Sequence, residues 1–377
     1  MRRNTNYRAW GSVGHYIQGS GLLEEIESYA SEFGQAHFYI IDVFFYDEWK
    51  EKLKALYRNS KSTFSCRVYE GEITHRKIAE FQKQAVGTEI DTVIAIGGGK
   101  SIDAAKVTAA RMDCALLICP TIASTDAPTS AMSILYSEDG KMNEIMLHKR
   151  NPDLVLADSR IIAQAPARFL TAGMGDALST YFEGLSNIQS GHENYVWCDK
   201  KPFVSTVSGR AIAKCCYETL IRDGYAAKLA CERHLCVPAL ENIIECNILM
   251  SGLGFENVGC SIAHAIGNAI TVLPEGENLM HGERVGFGVI CQLAAEHYDT
   301  KTLEEVLNFC IMIGIPVCFE DMSIELTEEN LQQIAEESLE ADSWQACSRT
   351  CQKEDIVQIM KIADAFGCDY KKKHAVK

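Results

Sequence analysis

Four short, almost entirely apolar runs occur in the first 160 residues, and they constrain the fold more than any other feature. They cover residues 38–41, 92–96, 115–119 and 154–157, with amphipathic, helix-compatible stretches between them. Strands that are apolar on both sides are typical of a parallel sheet covered by helices on both faces. Between the last two runs, residues 130–136 and 142–148 flank an Asp139-Gly140 pair, which predicts a β-hairpin.

Strand patterns end after about Ile161, and the rest of the chain is apolar at the three-to-four spacing of helices. Clear examples lie at residues 170–187, 211–222 and 239–253. We therefore predict two domains, an α/β nucleotide-type domain at residues 1–160 and an all-helical domain at residues 161–377.

Composition and charge set the class of protein. With 47% hydrophobic and 23% charged residues, the 377-residue chain matches an ordinary globular protein. Its net charge, 36 − 51 = −15, argues against binding to nucleic acid or to an anionic membrane. The 16 cysteines include no C-x-x-C pair, so we expect reduced, mostly buried thiols and a cytoplasmic protein. Residues 257–274 lack charge, but their polar side chains predict a buried helix rather than a membrane span.

A glycine-rich turn follows the second apolar run. Gly97, Gly98 and Gly99 precede Lys100 and a helix-compatible stretch, where free N–H groups could bind a pyrophosphate. Neither the dinucleotide nor the P-loop fingerprint fits, so a simple tight turn remains an alternative. Asp42, after the first run, could accept a hydrogen bond from the ribose 2′-OH of NAD and repel the 2′-phosphate of NADP. Alternatively, it could simply cap a turn.

Three potential metal ligands lie in the helical part. Asp176 is expected at the start of a helix, His264 in the middle of an apolar helix and His281 after a break. Two core histidines and a helix-capping aspartate are one interpretation. The other is a catalytic zinc or ferrous site, because a buried imidazole needs a partner and two histidines with one carboxylate leave an open coordination position.

Over most of its length, the sequence strongly resembles the iron-containing alcohol dehydrogenase superfamily and, within it, the glycerol dehydrogenase branch. The matching segments are GGGKSIDAAK (97–106), PTIASTDAPTSAMSILY (120–136), NPDLVLADSRIIAQAPARFLTAGMGDALSTYFE (151–183), SGLGFE (251–256), AHAIGN (263–268) and MHGERV (280–285). The resemblance implies a dehydroquinate synthase-like fold: an N-terminal Rossmann-like parallel sheet domain, a C-terminal helical domain, and the active site in the cleft between them.

The resemblance also implies roles for individual residues. The implied metal ligands are Asp176, His264 and His281, usually with zinc in this branch and iron in others. The implied cofactor residues are Gly97, Gly98, Gly99 and Lys100 at the pyrophosphate, Asp42 at the ribose, Thr121 and Ser124 on the adenosine side, and Ser130, Met132 and Tyr136 beside the nicotinamide. Asp126 resembles the ligand of a substrate hydroxyl. The implied reaction is the reversible, NAD-dependent oxidation of glycerol, a small polyol, to dihydroxyacetone, in a homo-oligomer, often an octamer.

One departure and several alternatives accompany this interpretation. Gly267 stands where similar family members carry a histidine, so we expect extra room beside the metal and weaker glycerol binding. Another small diol, hydroxyketone or aldehyde is an alternative substrate. A related metal- and NAD-dependent lyase would need a cluster of Lys and Arg for a substrate phosphate, and none flanks His264 or His281. A non-catalytic metal- or nucleotide-binding protein is the third alternative.

Overall fold

The computed structural model describes residues 7–85, 89–138, 140, 142–347 and 351–374. None of the helices in these ranges combines the length and the apolar character needed to cross a bilayer.

The large sheet is parallel and has six strands. The strands of the described residues are β1 (His15–Gly19), β2 (Ala36–Asp42), β3 (Thr63–Tyr69), β4 (Thr92–Gly97), β5 (Ala115–Pro120), β6 (Met132–Tyr136), β7 (Met142–Leu147) and β8 (Leu154–Asp158). The sheet order is β1-β8-β5-β4-β2-β3. The four strands predicted from the apolar runs are confirmed as β2, β4, β5 and β8. The two edge strands, β1 and β3, are additional, and both are largely half-exposed.

Alternate residues of the central strands are buried in two different cores. In β2, Phe38 and Ile40 belong to one apolar cluster, and Tyr39 and Ile41 belong to another. Both faces of the sheet are therefore covered, as the unbroken apolar runs predict. The first of these clusters continues into the helical part of the chain, where it includes Leu178.

The strand order places a ligand crevice at a definite point. The chain leaves β2 toward β3 on one side and leaves β4 toward β5 on the other, although β2 and β4 are neighbours. In open parallel sheets, ligands bind at the carboxyl ends of strands where the order reverses in this way. Asp42 ends β2 and Gly97 ends β4, so both lie at this switch point.

The predicted hairpin is confirmed by the antiparallel pairing of β6 and β7. Its turn residue Asp139 lies outside the described residues. The pairing register shifts between Leu135 and Tyr136, so a bulge bends β6 where it contacts the sheet domain through the hydrogen bond from the Tyr136 N–H to the Ile73 carbonyl.

Helices cover the sheet and form most of the described chain after β8. They are α1 (Ile26–Ser31), α2 (Tyr46–Leu56), α3 (His75–Ala85), α4 (Gly99–Met112), α5 (Ser159–Ile162), α6 (Ala167–Ser190), α7 (Val207–Cys231), α8 (Pro238–Glu245), α9 (Ser251–Val258), α10 (Ile262–Ala269), α11 (Pro274–Glu277), α12 (His281–Ala295), α13 (Thr300–Ile313), α14 (Glu328–Glu340) and α15 (Lys353–His374), with a π-helical turn at Cys246–Met250. The boundary between residues 160 and 161 remains a prediction.

Two local expectations for the metal-ligand segments were wrong. Asp176 lies well inside α6 rather than at its start, because α6 already begins at Ala167. Residues 257–274 do not form one helix. Gly259 has a φ of +99°, which ends α9, and the chain restarts as α10 at Ile262. His264 therefore lies in the first turn of a short helix, not in the middle of a long one.

Close backbone contacts bring α6, α10 and α12 together. A Cβ at Gly282 would lie 1.7 Å from the Ala172 carbonyl oxygen of α6, and a Cβ at Gly288 would lie 2.2 Å from the Ala263 carbonyl oxygen of α10. Only glycine allows backbones to approach this closely. As a result, the side chains on the facing turns of these three helices meet at one point.

Candidate metal centre and cofactor cleft

The three predicted metal ligands converge. Oδ1 of Asp176 lies 3.4 Å from Nε2 of His264 and 3.3 Å from Nε2 of His281. One donor atom from each residue falls within 4.8 Å of the other two. The three residues come from α6, α10 and α12, so the site forms only when these helices are packed together.

The carboxylate of Asp176 is held in its charged form. Its side chain is only 3% exposed. Burial acts to raise the pKa of Asp176, but the facing imidazoles of His281 and His264 outweigh this effect and hold the pKa well below its usual range. An ionised carboxylate beside two imidazoles is the donor set that zinc and ferrous ions accept.

Asp126 lies beside this cluster on the loop after β5. Ser251 donates a hydrogen bond from Oγ to Oδ2 of Asp126 at 3.0 Å. Burial raises the pKa of Asp126, and the negative charge of nearby Asp176 raises it further. The structure thus brings the predicted substrate ligand next to the predicted metal ligands.

The loop that carries Asp126 is attached to the helical part of the chain. Asn247 donates from Nδ2 to the Ala123 carbonyl and to the Leu170 carbonyl, both at 2.9 Å. Thr129 donates from Oγ1 to the Ile248 carbonyl at 2.8 Å. Asn247 and Ile248 belong to the π-helical turn, and such turns frequently occur at functional sites.

The predicted cofactor residues at the sheet edge also lie close together. A Cβ at Gly97 would be 2.8 Å from Cβ of Asp42, so the glycine lets the end of β4 pass directly beside the ribose candidate. Oδ1 of Asp42 accepts from the Phe44 N–H at 3.0 Å, so Asp42 also caps its own turn. The N–H of Thr121 donates to the Gly97 carbonyl at 3.1 Å, and Ser124 follows on the same buried loop.

The N-terminus of α4 has no side-chain cap, so its first N–H groups are available to bind a phosphate. No side chain caps its N-terminus at Gly98, and a Cβ there would lie 3.0 Å from Cδ1 of Ile122. The structure places Lys100 differently from the expected pyrophosphate contact. Its Nζ forms an ion pair with Glu72 and lies 5.7 Å from the ring centroid of Tyr136. The ammonium group of Lys100 therefore lies beside Glu72 and Tyr136 in this structure.

The predicted nicotinamide residues are held by a buried lysine that sequence reasoning missed. Nζ of Lys106 donates to Oγ of Ser130 at 3.3 Å and to the Met132 carbonyl at 2.6 Å, and it pairs with Asp103 at 3.3 Å. Its side chain is 2% exposed. The signal was an Asp103–Lys106 pair at i,i+3 spacing in an otherwise mostly uncharged stretch of α4, within the matched GGGKSIDAAK segment. Buried lysines are rare unless they are paired.

The expectation of room at Gly267 was wrong. A Cβ at this position would lie 2.9 Å from Cα of Val285 and 3.0 Å from its backbone nitrogen. Gly267 thus faces the backbone of α12 instead of opening a space beside the metal ligands. A histidine cannot occupy this place without moving α12.

The basic residues near His281 are engaged with other groups of the protein. Arg168 makes two hydrogen bonds to Glu283, at 2.6 and 2.7 Å. Arg284 donates to the carbonyls of Gly276 and Leu279. The described contacts therefore give no support to the phosphate cluster that a lyase would need.

The chain is similar to known proteins over most of its length. The family model for iron-containing alcohol dehydrogenases matches residues 14–159. A glycerol dehydrogenase of Thermotoga maritima is 37% identical over 361 residues, which cover 94% of this chain and 96% of the relative. A glycolaldehyde reductase of Halobacterium salinarum is 36% identical over 85% of this chain and 87% of its own. The crystal structure of glycerol dehydrogenase from Schizosaccharomyces pombe superposes with a TM-score of 0.93 at 30% identity, covering 99% of this chain and 94% of that one.

The chain therefore belongs to the iron-containing alcohol dehydrogenase family. It is an oxidoreductase that acts on CH–OH groups, and its sheet domain followed by a helical part has the fold expected from the sequence.

Proposed function

We propose that this enzyme oxidises glycerol to dihydroxyacetone, reversibly, with NAD as hydride acceptor and one divalent metal ion. The observation that carries the proposal is the convergence of Asp176, His264 and His281 beside Asp126. The two relatives named glycerol dehydrogenase, similar over nearly the whole chain, support the choice of glycerol.

The three converging side chains fit a metal ion. One carboxylate and two imidazole nitrogens within 4.8 Å form a three-ligand set, and three protein ligands are typical of catalytic zinc sites with an open position. We propose zinc, with iron as the alternative that metal analysis would reveal. A bound divalent metal supplies Lewis acidity, which lowers the pKa of an alcohol hydroxyl as it does that of water.

The glycine turn and its neighbours fit NAD. The uncapped start of α4 would hold the pyrophosphate, and Gly97 allows the end of β4 to pass directly beside Asp42. Asp42 would accept hydrogen bonds from the adenosine ribose and disfavour NADP. Thr121 and Ser124 would line the adenosine side. Ser130, Met132 and Tyr136 would lie beside the nicotinamide, with Lys106 fixing the first two.

Asp126 would orient the polyol. Its carboxylate, held by Ser251, would accept a hydrogen bond from one hydroxyl and thereby fix which carbon faces the cofactor. Asp176 is only 3% exposed, so its charge acts on the neighbouring imidazoles and on Asp126 with little screening by water.

We also propose a cytoplasmic homo-oligomer, with the octamer as the expected size. The free cysteines, most of which are buried, support a reducing compartment such as the cytoplasm. The family resemblance suggests the homo-oligomer and its size. Light scattering on the purified protein measures the oligomer directly.

A substrate screen tests the proposal. Purified enzyme, assayed by NADH absorbance, should oxidise glycerol with a higher kcat/KM than propane-1,2-diol, and should reduce dihydroxyacetone more efficiently than glycolaldehyde. NAD should be preferred to NADP, and metal analysis should find one divalent ion per chain. A preference for glycolaldehyde, or no turnover of glycerol, would contradict the proposed substrate.

A further inference from the structure

A second carboxylate from α6 contacts the other nitrogen of His264. Oε2 of Glu183 lies 2.6 Å from Nδ1 of His264, whereas Oδ1 of Asp176 lies 3.4 Å from Nε2. Asp176 and Glu183 are seven residues apart, so they share one face of the helix. The ring of His264 is therefore held between two acids of the same helix.

Glu183 also fixes the start of α10. Its Oε1 accepts from the Ser261 N–H at 2.7 Å and from the His264 N–H at 2.8 Å. Ser261 is the N-cap residue of α10, but its side chain makes no capping hydrogen bond. Glu183 is 1% exposed, so its three hydrogen bonds are shielded from water. Hydrogen bonds to a charged group are strong in such a place.

We propose that Glu183 is a positioning residue of the metal site: by accepting the Nδ1 proton of His264, it leaves Nε2 free to bind the metal. This inference rests on the proposed metal ligands and goes beyond them. A carboxylate that accepts from the far nitrogen of a ligating histidine fixes the tautomer and ring orientation and makes the ligand more basic. The thiol of Cys260 lies in the same group of side chains, but a neutral thiol is a much weaker acceptor.

Glu183→Gln separates the two contacts of this carboxylate. The amide oxygen can still accept from the backbone N–H groups of Ser261 and His264, so the cap on α10 is retained. The amide nitrogen is a donor and opposes the Nδ1 proton, which favours the tautomer that carries its proton on Nε2. Metal binding should therefore suffer more than folding.

Zinc affinity, measured by competition with a chelator, tests the proposal. Glu183→Gln should lower the affinity 10- to 100-fold, the usual range for groups that hold a ligating histidine. Glu296→Gln is the matched control, since Glu296 also accepts hydrogen bonds beside α6, from Ser186 and Gln292, without contacting His264. It should leave zinc affinity unchanged.

A double-mutant cycle distinguishes positioning from a general structural role. If Glu183 acts through His264, Glu183→Gln should cause no further loss of zinc affinity when it is added to His264→Ala. An additive loss, or unchanged affinity in Glu183→Gln alone, would overturn the inference while leaving the metal ligands in place. Unchanged affinity in His264→Ala would instead refute the proposed metal site and the inference with it.

Should Glu183→Gln fail to fold, nitrogen NMR of the neutral His264 ring in the metal-free wild-type protein decides the question, because zinc on Nε2 would by itself leave the proton on Nδ1. A proton on Nδ1 of His264 supports the inference, and a proton on Nε2 overturns it.

Discussion

His281 is the most exposed of the three proposed metal ligands. Its side chain is 32% exposed, against 15% for His264 and 3% for Asp176, and it is the first residue of α12. It can therefore be replaced with the least disturbance of the core.

We predict that His281→Ala lowers metal content and reduces kcat/KM for glycerol by more than about 100-fold. Losing a ligand should cost more than the 10- to 100-fold caused by losing a group that orients one. Metal analysis after dialysis and steady-state kinetics measure both effects. Full metal content with full activity would show that His281 is not a ligand.

Asp42 has one observed contact and one proposed role, and a single substitution can separate them. Its Oδ1 caps the turn at Phe44, while its negative charge is proposed to select NAD. Asp42→Asn keeps an acceptor for the turn and removes the charge.

We predict that Asp42→Asn narrows the preference for NAD over NADP by about 1.5–3 kcal/mol, the scale of a hydrogen bond to a charged group. The kcat/KM values for both cofactors measure it, and an unchanged melting temperature confirms that the turn is intact. An unchanged cofactor ratio would assign Asp42 to the turn alone.

At the scale of helices, the contact between α10 and α12 determines where the histidines lie. Gly267 is a point of that contact, because a Cβ would come within 2.9 Å of Val285 Cα. We predict that Gly267→Ala destabilises the protein by about 1–3 kcal/mol, the usual cost of overpacking a core. Chemical denaturation measures the loss.

Asn268→Ala is the control for this prediction, since Asn268 is exposed on the same helix. Its unfolding free energy should stay close to that of the wild type. A Gly267→Ala protein as stable as this control would mean that α12 yields to the added methyl group without cost.

Local sequence patterns predicted the strands that are buried on both faces. They missed the edge strands and the helix break, whose sequences carry no such regular pattern. The central strands β2, β4, β5 and β8 are apolar because both of their faces are covered, so their sequences alone identify them. The edge strand β3 has exposed and polar positions, so it lacks the unbroken apolar run by which the central strands were recognised. The break at Gly259 depends on a positive φ within an otherwise apolar stretch, which helix periodicity does not reveal.

Some residues of the candidate site could be predicted from the sequence and others could not. Spacing gave no reason for Asp176 to meet His264, because their contact follows from the glycine-mediated packing of three helices. The resemblance to the family supplied those residues. Glu183 could have been found from the sequence, since it repeats Asp176 one heptad later on the same helix face. Lys100 could not be placed, because its partner Glu72 comes from a loop far away in sequence.

At the scale of the whole molecule, the three proposed metal ligands lie on three helices that are separate in sequence. A metal that binds only the folded arrangement stabilises it by mass action, by about 2.7 kcal/mol when the free ion is at 100 times its Kd. We predict that a chelator lowers the melting temperature and that added zinc restores it, with stability rising by about 1.4 kcal/mol per tenfold increase in free zinc. Thermal unfolding at fixed protein concentration and several buffered zinc levels measures the slope. His281→Ala should flatten the slope, whereas Asn268→Ala should preserve it. A wild-type melting temperature that does not respond to zinc would show that these helices pack without help from the ion and that the three side chains do not form its site.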